Sequence, residues 1–497
     1  MTGDPDDLPD ASRGGGSEAR SDEPPRTPAA GTAPGAPSLD PRDDASPRSP
    51  APAGRRAVDR DILRLAVPAL GALIAEPLFL LADTAMVGHL GATPLAGLGL
   101  ASALLQTIIG LMVFLAYATT PAVARRLGAG DLRGAVASGV DGLWLATGLG
   151  VVIAVAGWLA TPLLVGAFGA SGAVSAEASA YLSISMAGLP AMLLVFAATG
   201  LLRGLQDTRT PLWVAGLGFG ANILLNYGFI YVAGWGIAGS AIGTVVAQWG
   251  MVVVYLVVIA RHARRVGASW LPHHVGVLQG AASGGWLFLR TASLRAAMLL
   301  ATWAATSLGS DELAAFQVAM TLYATLAFAL DALAIAAQAL VGKGLGAGDA
   351  AGVRAVLRRC LEWGIGAGVV LGAAVVGTAW ALPALFTSSE AVIALLPWTL
   401  VVLGVSTPLA GLVFVLDGVL IGAGDARYLA WTGLVNLAAF VPLALAVVWW
   451  ADASAGLPGA VTLALLMAAF AIGYLAARGL TLSLRARGTR WMVLGAR

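Results

Sequence analysis

Apolar runs long enough to cross a bilayer recur along this chain from Ile62 to its end, and they leave few folds open. A helix rises about 1.5 Å per residue, so about 20 residues span the hydrocarbon. Twelve such runs can be counted, at 62–88, 95–124, 136–160, 176–203, 211–232, 236–260, 285–307, 312–342, 353–380, 390–420, 428–450 and 457–482. They do not alternate apolar and polar residues, which excludes a membrane β-barrel. Only 11% of the 497 residues are charged, against about a quarter in soluble proteins. The expected fold is all-α and integral to the membrane, with twelve transmembrane helices.

The basic residues set the direction of threading. Arg55, Arg56, Arg60 and Arg64 precede the first run, and Arg125, Arg126 and Arg133 lie between the second and third. Arg203 and Arg209 flank the next such loop, Arg261, Arg264 and Arg265 the following one. Lys343, Arg354, Arg358, Arg359 and Arg427 continue the pattern, and Arg478 to Arg497 close the chain. The alternate loops, 88–95, 160–176, 232–236, 307–312, 380–390 and 450–457, hold no Lys or Arg. Basic loops stay in the cytoplasm, so both termini are expected inside, in a multi-pass protein of the cell membrane.

Residues 1–53 read differently. They are rich in Pro, Gly, Ala, Ser and Asp and carry ten acids against five arginines. Such a segment cannot bury a core and is expected to be a disordered tail. No apolar stretch follows a basic start there, so a signal peptide is not expected in it. The single cysteine, Cys360, rules out an internal disulfide and is expected to be inert.

Shifted along itself, the sequence repeats. Leu90-Gly91 falls on Leu308-Gly309, and Leu127-Gly-Ala-Gly-Asp131 on Leu345-Gly-Ala-Gly-Asp349. At the same offset Pro190 falls on Pro408, Gly204 on Gly422 and Asp207 on Asp425. The chain therefore divides into a tail (1–53), a six-helix lobe (54–260), a cytoplasmic linker (261–284), a second six-helix lobe (285–485) and a cytoplasmic tail (486–497). Six is even, so the two repeats run parallel about an axis along the membrane normal. Two lobes of this kind enclose a central cavity and rock about it, the geometry of alternating access. The Leu-Gly-Ala-Gly-Asp loops are not phosphate cradles, since no strand precedes them and no Lys-Ser/Thr follows. They read as a C-cap glycine followed by an Asp N-cap.

Four acids lie well inside spans: Glu76 and Asp83 in the first, Asp331 in the eighth and Asp417 in the tenth. A carboxylate near the bilayer centre costs about 2.5–3.5 kcal/mol on insertion scales. Asp83 is 19 residues past Arg64, and Asn226 is 17 past Arg209, which puts them at the same level. Asn222 lies one turn from Asn226, and Glu76 two turns from Asp83, on shared faces. The first lobe can thus gather Glu76, Asp83, Asn222 and Asn226 into one polar pocket. The second repeat has Leu294, Ala301 and Phe440 where the first has Glu76, Asp83 and Asn222. An acid present in one half only points to a specialised site, and burial disfavours the charged form of a carboxyl. Such a group can take up a proton on one side and release it on the other. Pro68 and Pro77 in the same span each remove a backbone hydrogen bond and permit a hinge. In the second lobe Arg295, Asp331 and Asp417 sit at similar depth as buried charges. Arg295 is expected to pair with Asp331, Asp417 or both, because unpaired charges at that depth are costly.

At these residues the chain resembles the multidrug and toxic compound extrusion (MATE) family, and within it the DNA-damage-inducible protein F (DinF) subfamily. The motifs are Leu80-Leu-Ala-Asp-Thr-Ala-Met-Val-Gly-His-Leu-Gly91, Arg290-Thr-Ala-Ser-Leu294, Leu330-Asp-Ala-Leu-Ala-Ile-Ala-Ala-Gln-Ala-Leu340 and Leu416-Asp-Gly-Val-Leu-Ile-Gly-Ala-Gly-Asp425. The resemblance implies a two-lobe antiporter that expels amphipathic, often cationic drugs and toxins against a proton or sodium gradient. It maps the coupling aspartate to Asp83, the bending proline to Pro68 and the polar pair of the fifth helix to Asn222 and Asn226. The second member of that pair is often Asp in the family and is Asn here, which throws weight onto Asp83 and Glu76. Sodium-coupled members place acids in helices 7, 8 and 10. The glutamate of helix 7 is missing here, which favours protons over sodium.

Two other readings are weaker. A flippase for lipid-linked precursors wants a strongly cationic cavity, to which Arg290 and Arg295 could contribute. An intramembrane transferase wants Asp-rich metal motifs or a reactive His, whereas His262, His273 and His274 lie in the linker and His89 at a helix end. The expectation is a monomeric transporter in the lipid bilayer, with no catalytic residue, no metal site, no nucleic-acid partner and no cofactor beyond H+ or Na+. Tyr117, Met192 and Phe196 are candidates for an apolar, aromatic substrate wall.

Overall fold

In a computed structural model, residues 54–170, 172–453 and 458–495 are described, together with the backbone but not the side chain of Glu76. The expected disordered tail, 1–53, lies outside the described residues. Every regular element is helical among the described residues.

The first half holds α1 (Arg55–Gly88), α2 (Ala92–Gly128), α3 (Leu132–Gly166), α4 (Gly172–Met186 and Leu189–Gly204), α5 (Arg209–Val232) and α6 (Gly236–Val266). The second half holds α7 (His274–Leu308), α8 (Ser310–Gly346), α9 (Ala350–Thr378), α10 (Glu390–Gly422), α11 (Ala426–Ala453) and α12 (Gly459–Arg487). Ten of these are single helices apolar and long enough to cross a membrane, and the bent α4 makes an eleventh. The twelfth is α7, a 35-residue helix that carries Arg290 and Arg295. It starts at His274, well before the apolar run at 285, so the irregular linker is shorter than the sequence suggests. Apolarity marks where a helix meets lipid, and helical hydrogen bonding continues past that point.

The two halves share their local contacts as well as their sequence. Asp131 caps α3 by accepting from the Gly134 N–H at 2.8 Å, and Asp349 caps α9 by accepting from Gly352 N–H at 2.8 Å. Gly130 and Gly348, at φ 80° and 73°, supply the left-handed turn before each cap. A Cβ added at Gly150 would lie 2.7 Å from the Pro190 Cα, and one at Gly368 would lie 2.7 Å from the Pro408 Cα. Small residues let backbones approach where apolar burial gives little drive between helices. At the basic-loop ends the repeats meet each other: Gly128 sits on the Lys343 carbonyl and Gly346 on the Arg125 carbonyl.

Prolines act differently in the span expected to hinge and in one that was not. The helix α1 runs unbroken through Pro68 and Pro77. The helix α4 is bent by 48° where Pro190 opens its second segment.

Candidate functional site: a buried carboxyl behind a central cavity

A cavity of about 660 Å³ lies between the lobes. Its wall is mostly apolar and comes from α1, α2, α4, α5 and α6, with Arg295 of α7 and Phe328 and Asp331 of α8 closing it from the second lobe. Tyr117, Met192 and Phe196 all stand on this wall, as does Pro77. The volume lies within the range of about 300–1,000 Å³ usual for organic ligands.

The cavity is sealed toward the basic loops. Arg125 of α2 donates to the Ala423 carbonyl of the second lobe and the Val493 carbonyl of the C-terminal tail at 2.9 Å each. Lys343 reaches Gln206 at 3.2 Å. Asp59 of α1 takes the guanidinium of Arg359 and the indole N–H of Trp363 at 2.9 Å. Asp141 of α3 accepts the His273 backbone N–H at 2.7 Å and so caps α7 from the other lobe. Every interlobe hydrogen bond among the described residues lies on this side or at mid-depth. The molecule therefore faces away from its basic loops.

Asp83 lies one layer behind the wall and is 3% exposed. Asn226 of α5 donates to its Oδ1 at 3.0 Å, Tyr181 of α4 donates to Oδ2 at 3.2 Å, and Ser240 of α6 donates to Oδ1. Asn222 links outward, donating to Thr244 at 3.0 Å, while Asn226 donates back to the Asn222 amide oxygen at 3.3 Å. Tyr181, Asn222 and Thr244 form the wall between Asp83 and the cavity. Four helices thus hold one carboxyl. Among the described residues it has no basic partner. Glu76 lies in α1 between Ala75 and Pro77, both wall residues, and its side chain is outside the described residues.

Tyr181, Ser240 and Thr244 were not singled out in the sequence. Hydroxyls in membrane helices commonly bond to their own backbone, as Thr107 does to Ala103 and Thr147 to Leu143. Nothing local separates those from Ser240 and Tyr181, which bond to Asp83, or from Thr244, which reaches it through Asn222.

The second lobe corrects one expectation. Arg295 pairs with neither Asp331 nor Asp417. Asp417, 7% exposed, is held by Arg290, through Nε at 3.1 Å and a second guanidinium contact, and by Arg478 of α12 at 3.3 Å. Arg295 is exposed on the cavity wall, its guanidinium lying over Gly110. Asp331 is half-buried and accepts from the Tyr117 hydroxyl at 3.3 Å across the lobes. The reason is angular: residues 290 and 295 are five apart, about 140° around a helix, so depth alone does not say which one faces α10.

Comparison with known proteins follows the same lines. The MatE family model matches residues 68–228 and 288–452, one match in each repeat. Protein DETOXIFICATION 44, chloroplastic, of Arabidopsis thaliana is 31% identical over 397 residues, 76% of this chain and 74% of that protein. DNA damage-inducible protein F of Escherichia coli is 30% identical over 319 residues, 62% of this chain and 68% of that one. Among solved structures, the MATE transporter VcmN of Vibrio cholerae in its bent form superposes with a TM-score of 0.78 at 22% identity, covering 87% of this chain and 98% of that one.

Proposed function

From the premise that this chain belongs to the MATE family of membrane transporters, we propose that it is a secondary active efflux antiporter exchanging amphipathic drugs or toxins for protons. As a multi-pass transporter it is not an enzyme, and its substrates are small molecules met in the bilayer setting. We place it in the cell membrane as a monomer, basic loops and both termini in the cytoplasm.

The observation that carries the coupling is the company Asp83 keeps. Its partners are neutral: two hydroxyls and one amide. A hydroxyl can donate or accept, so Ser240 and Tyr181 can serve a carboxylate by donating and a carboxylic acid by accepting its proton. Asp417 has no such freedom, because two guanidiniums hold it as an anion. Those same arginines occupy the carboxylate oxygens that a sodium ion would need in the second lobe, which favours protons. The wall between Asp83 and the cavity, formed by Tyr181, Asn222 and Thr244, gives a substrate a way to disturb the cluster. Protonation on the open side, closure over the wall and release on the other side would then drive export.

The test is transport by the full chain in proteoliposomes with imposed gradients. Efflux of a fluorescent amphipath should follow a proton gradient and fall to the leak rate in Asp83→Asn. Efflux that follows sodium alone, or equal efflux by the variant, would remove Asp83 from the coupling role.

A further inference from the structure

Charge among the described side chains at the level of the cavity does not balance. Arg203, Arg290, Arg295 and Arg478 lie with two acids in their own layer, Asp331 and Asp417, while Asp83 stands one layer behind the wall and bonds to neutral groups. Asp417 is occupied by Arg290 and Arg478. Asp331 bonds to Tyr117 and makes no direct ion pair, though it lies within electrostatic reach of both Arg203 and Arg290. Arg203, in the last turn of α4, is only 9% exposed, yet its Nε finds no acceptor. Arg295 has neither a hydrogen bond nor an ion pair with a described residue. Both of these arginines line the cavity. Four guanidiniums thus meet two carboxylates in this layer among the described side chains; Arg203 shares Asp331 with Arg290, Arg295 has no acid beside it, and both Arg203 and Arg295 reach the same space.

A cation inside a membrane protein normally finds a partner, and one left open there marks a path or a site. Low-dielectric walls strengthen its pull on an opposite charge. A guanidinium matches a planar carboxylate in two parallel hydrogen bonds. We propose that the cavity binds amphipathic organic anions, with the apolar wall of α1, α4 and α5 taking the body of the molecule and Arg203 and Arg295 taking its acidic group. This names the substrate class of the export reading and rests on it, and it departs from the cationic compounds that the family resemblance implies. It also changes the electrical character of the cycle. One anion leaving for one proton entering moves two charges in the same electrical sense, so an inside-negative potential speeds export. A monovalent cation leaving for one proton is electroneutral.

The test uses two fluorescent probes with one apolar body, 1-pyrenecarboxylate and 1-pyrenemethylammonium, titrated into the purified full chain. The carboxylate should bind about tenfold tighter or more, the size of a hydrogen bond to a charged group. Arg295→Gln should remove most of that preference. Gly110→Ala, which puts a methyl where the Arg295 guanidinium lies, should weaken the carboxylate and leave the ammonium unchanged. Arg203→Lys should keep part of the affinity that Arg203→Gln loses. Equal or tighter binding of the ammonium, or a carboxylate affinity indifferent to Arg295→Gln, overturns the proposal. Because binding is read without a gradient, a failure of proton coupling would leave this preference standing, and a failure of the preference would leave coupling intact.

Discussion

Breaking the ion triad of the second lobe should cost most when the acid is removed. Asp417, Arg290 and Arg478 are each less than one-tenth exposed. Removing one partner of a buried pair costs about 3–5 kcal/mol, because the other charge is left without compensation. The three residues are not equivalent. With Arg290→Met, Asp417 keeps Arg478 at 3.3 Å, so the loss should fall at the low end of that range. With Asp417→Leu, two guanidiniums are stranded together, and the loss should reach the high end. The two ends differ by about 2 kcal/mol, and at about 1.4 kcal/mol per factor of ten the two variants should differ by about thirtyfold in the fraction surviving a thermal challenge. The assay is monodisperse protein recovered in detergent after heating, read by size exclusion. Arg290→Met with Asp417→Leu strands only Arg478, and adding Arg478→Met should restore more than either single change. If Asp417→Leu is the mildest of the single variants, or the triple variant is the worst, the triad is not a mutually compensated unit.

Two further outcomes follow from the same geometry. Tyr181→Phe and Ser240→Ala each remove one adaptable hydroxyl from Asp83 and should lower gradient-driven transport about tenfold while leaving the amount of folded protein unchanged; unaltered transport rates in both would show that these groups are bystanders. Deleting residues 488–497 removes the Val493 and Gly495 carbonyls that Arg125 grips, so a cavity cysteine, Met192→Cys, should react more slowly with an impermeant thiol reagent added on the side away from the basic loops; Cys360, fully buried, gives no background, and an unchanged rate would show that the tail does not hold the seal.

Much of this molecule was legible in its residues, and what was missed has physical causes. Twelve helices and two parallel repeats follow from apolar length and from one constant offset, and the structure carries that offset down to matching contacts, as at Gly150 with Pro190 and Gly368 with Pro408. Asp83, Asn222 and Asn226 could be brought together because depth and the i, i+4 relation are both readable on a helix. Tyr181 and Ser240 could not, because an uncharged hydroxyl carries no burial cost that demands a partner on another helix, and such residues occur on every face of a membrane helix. Some basic residues were read too simply. Arg125, Arg203 and Arg478 count as loop markers by position, yet each is less than one-tenth exposed. Long side chains at helix ends can turn inward as easily as snorkel out, and here they build the seal, the cavity floor and the triad. Arg290 and Arg295 differ by face rather than depth, which a linear reading does not resolve.

The most direct measurement is the infrared spectrum of the protonated carboxyl band, recorded on the full chain across pH, with Asp83→Asn as the blank. The account predicts a band that grows as pH falls through the working range, shifts when an amphipathic ligand is added and is missing from the variant. A band of constant intensity, or none attributable to Asp83 under any of these conditions, would contradict it.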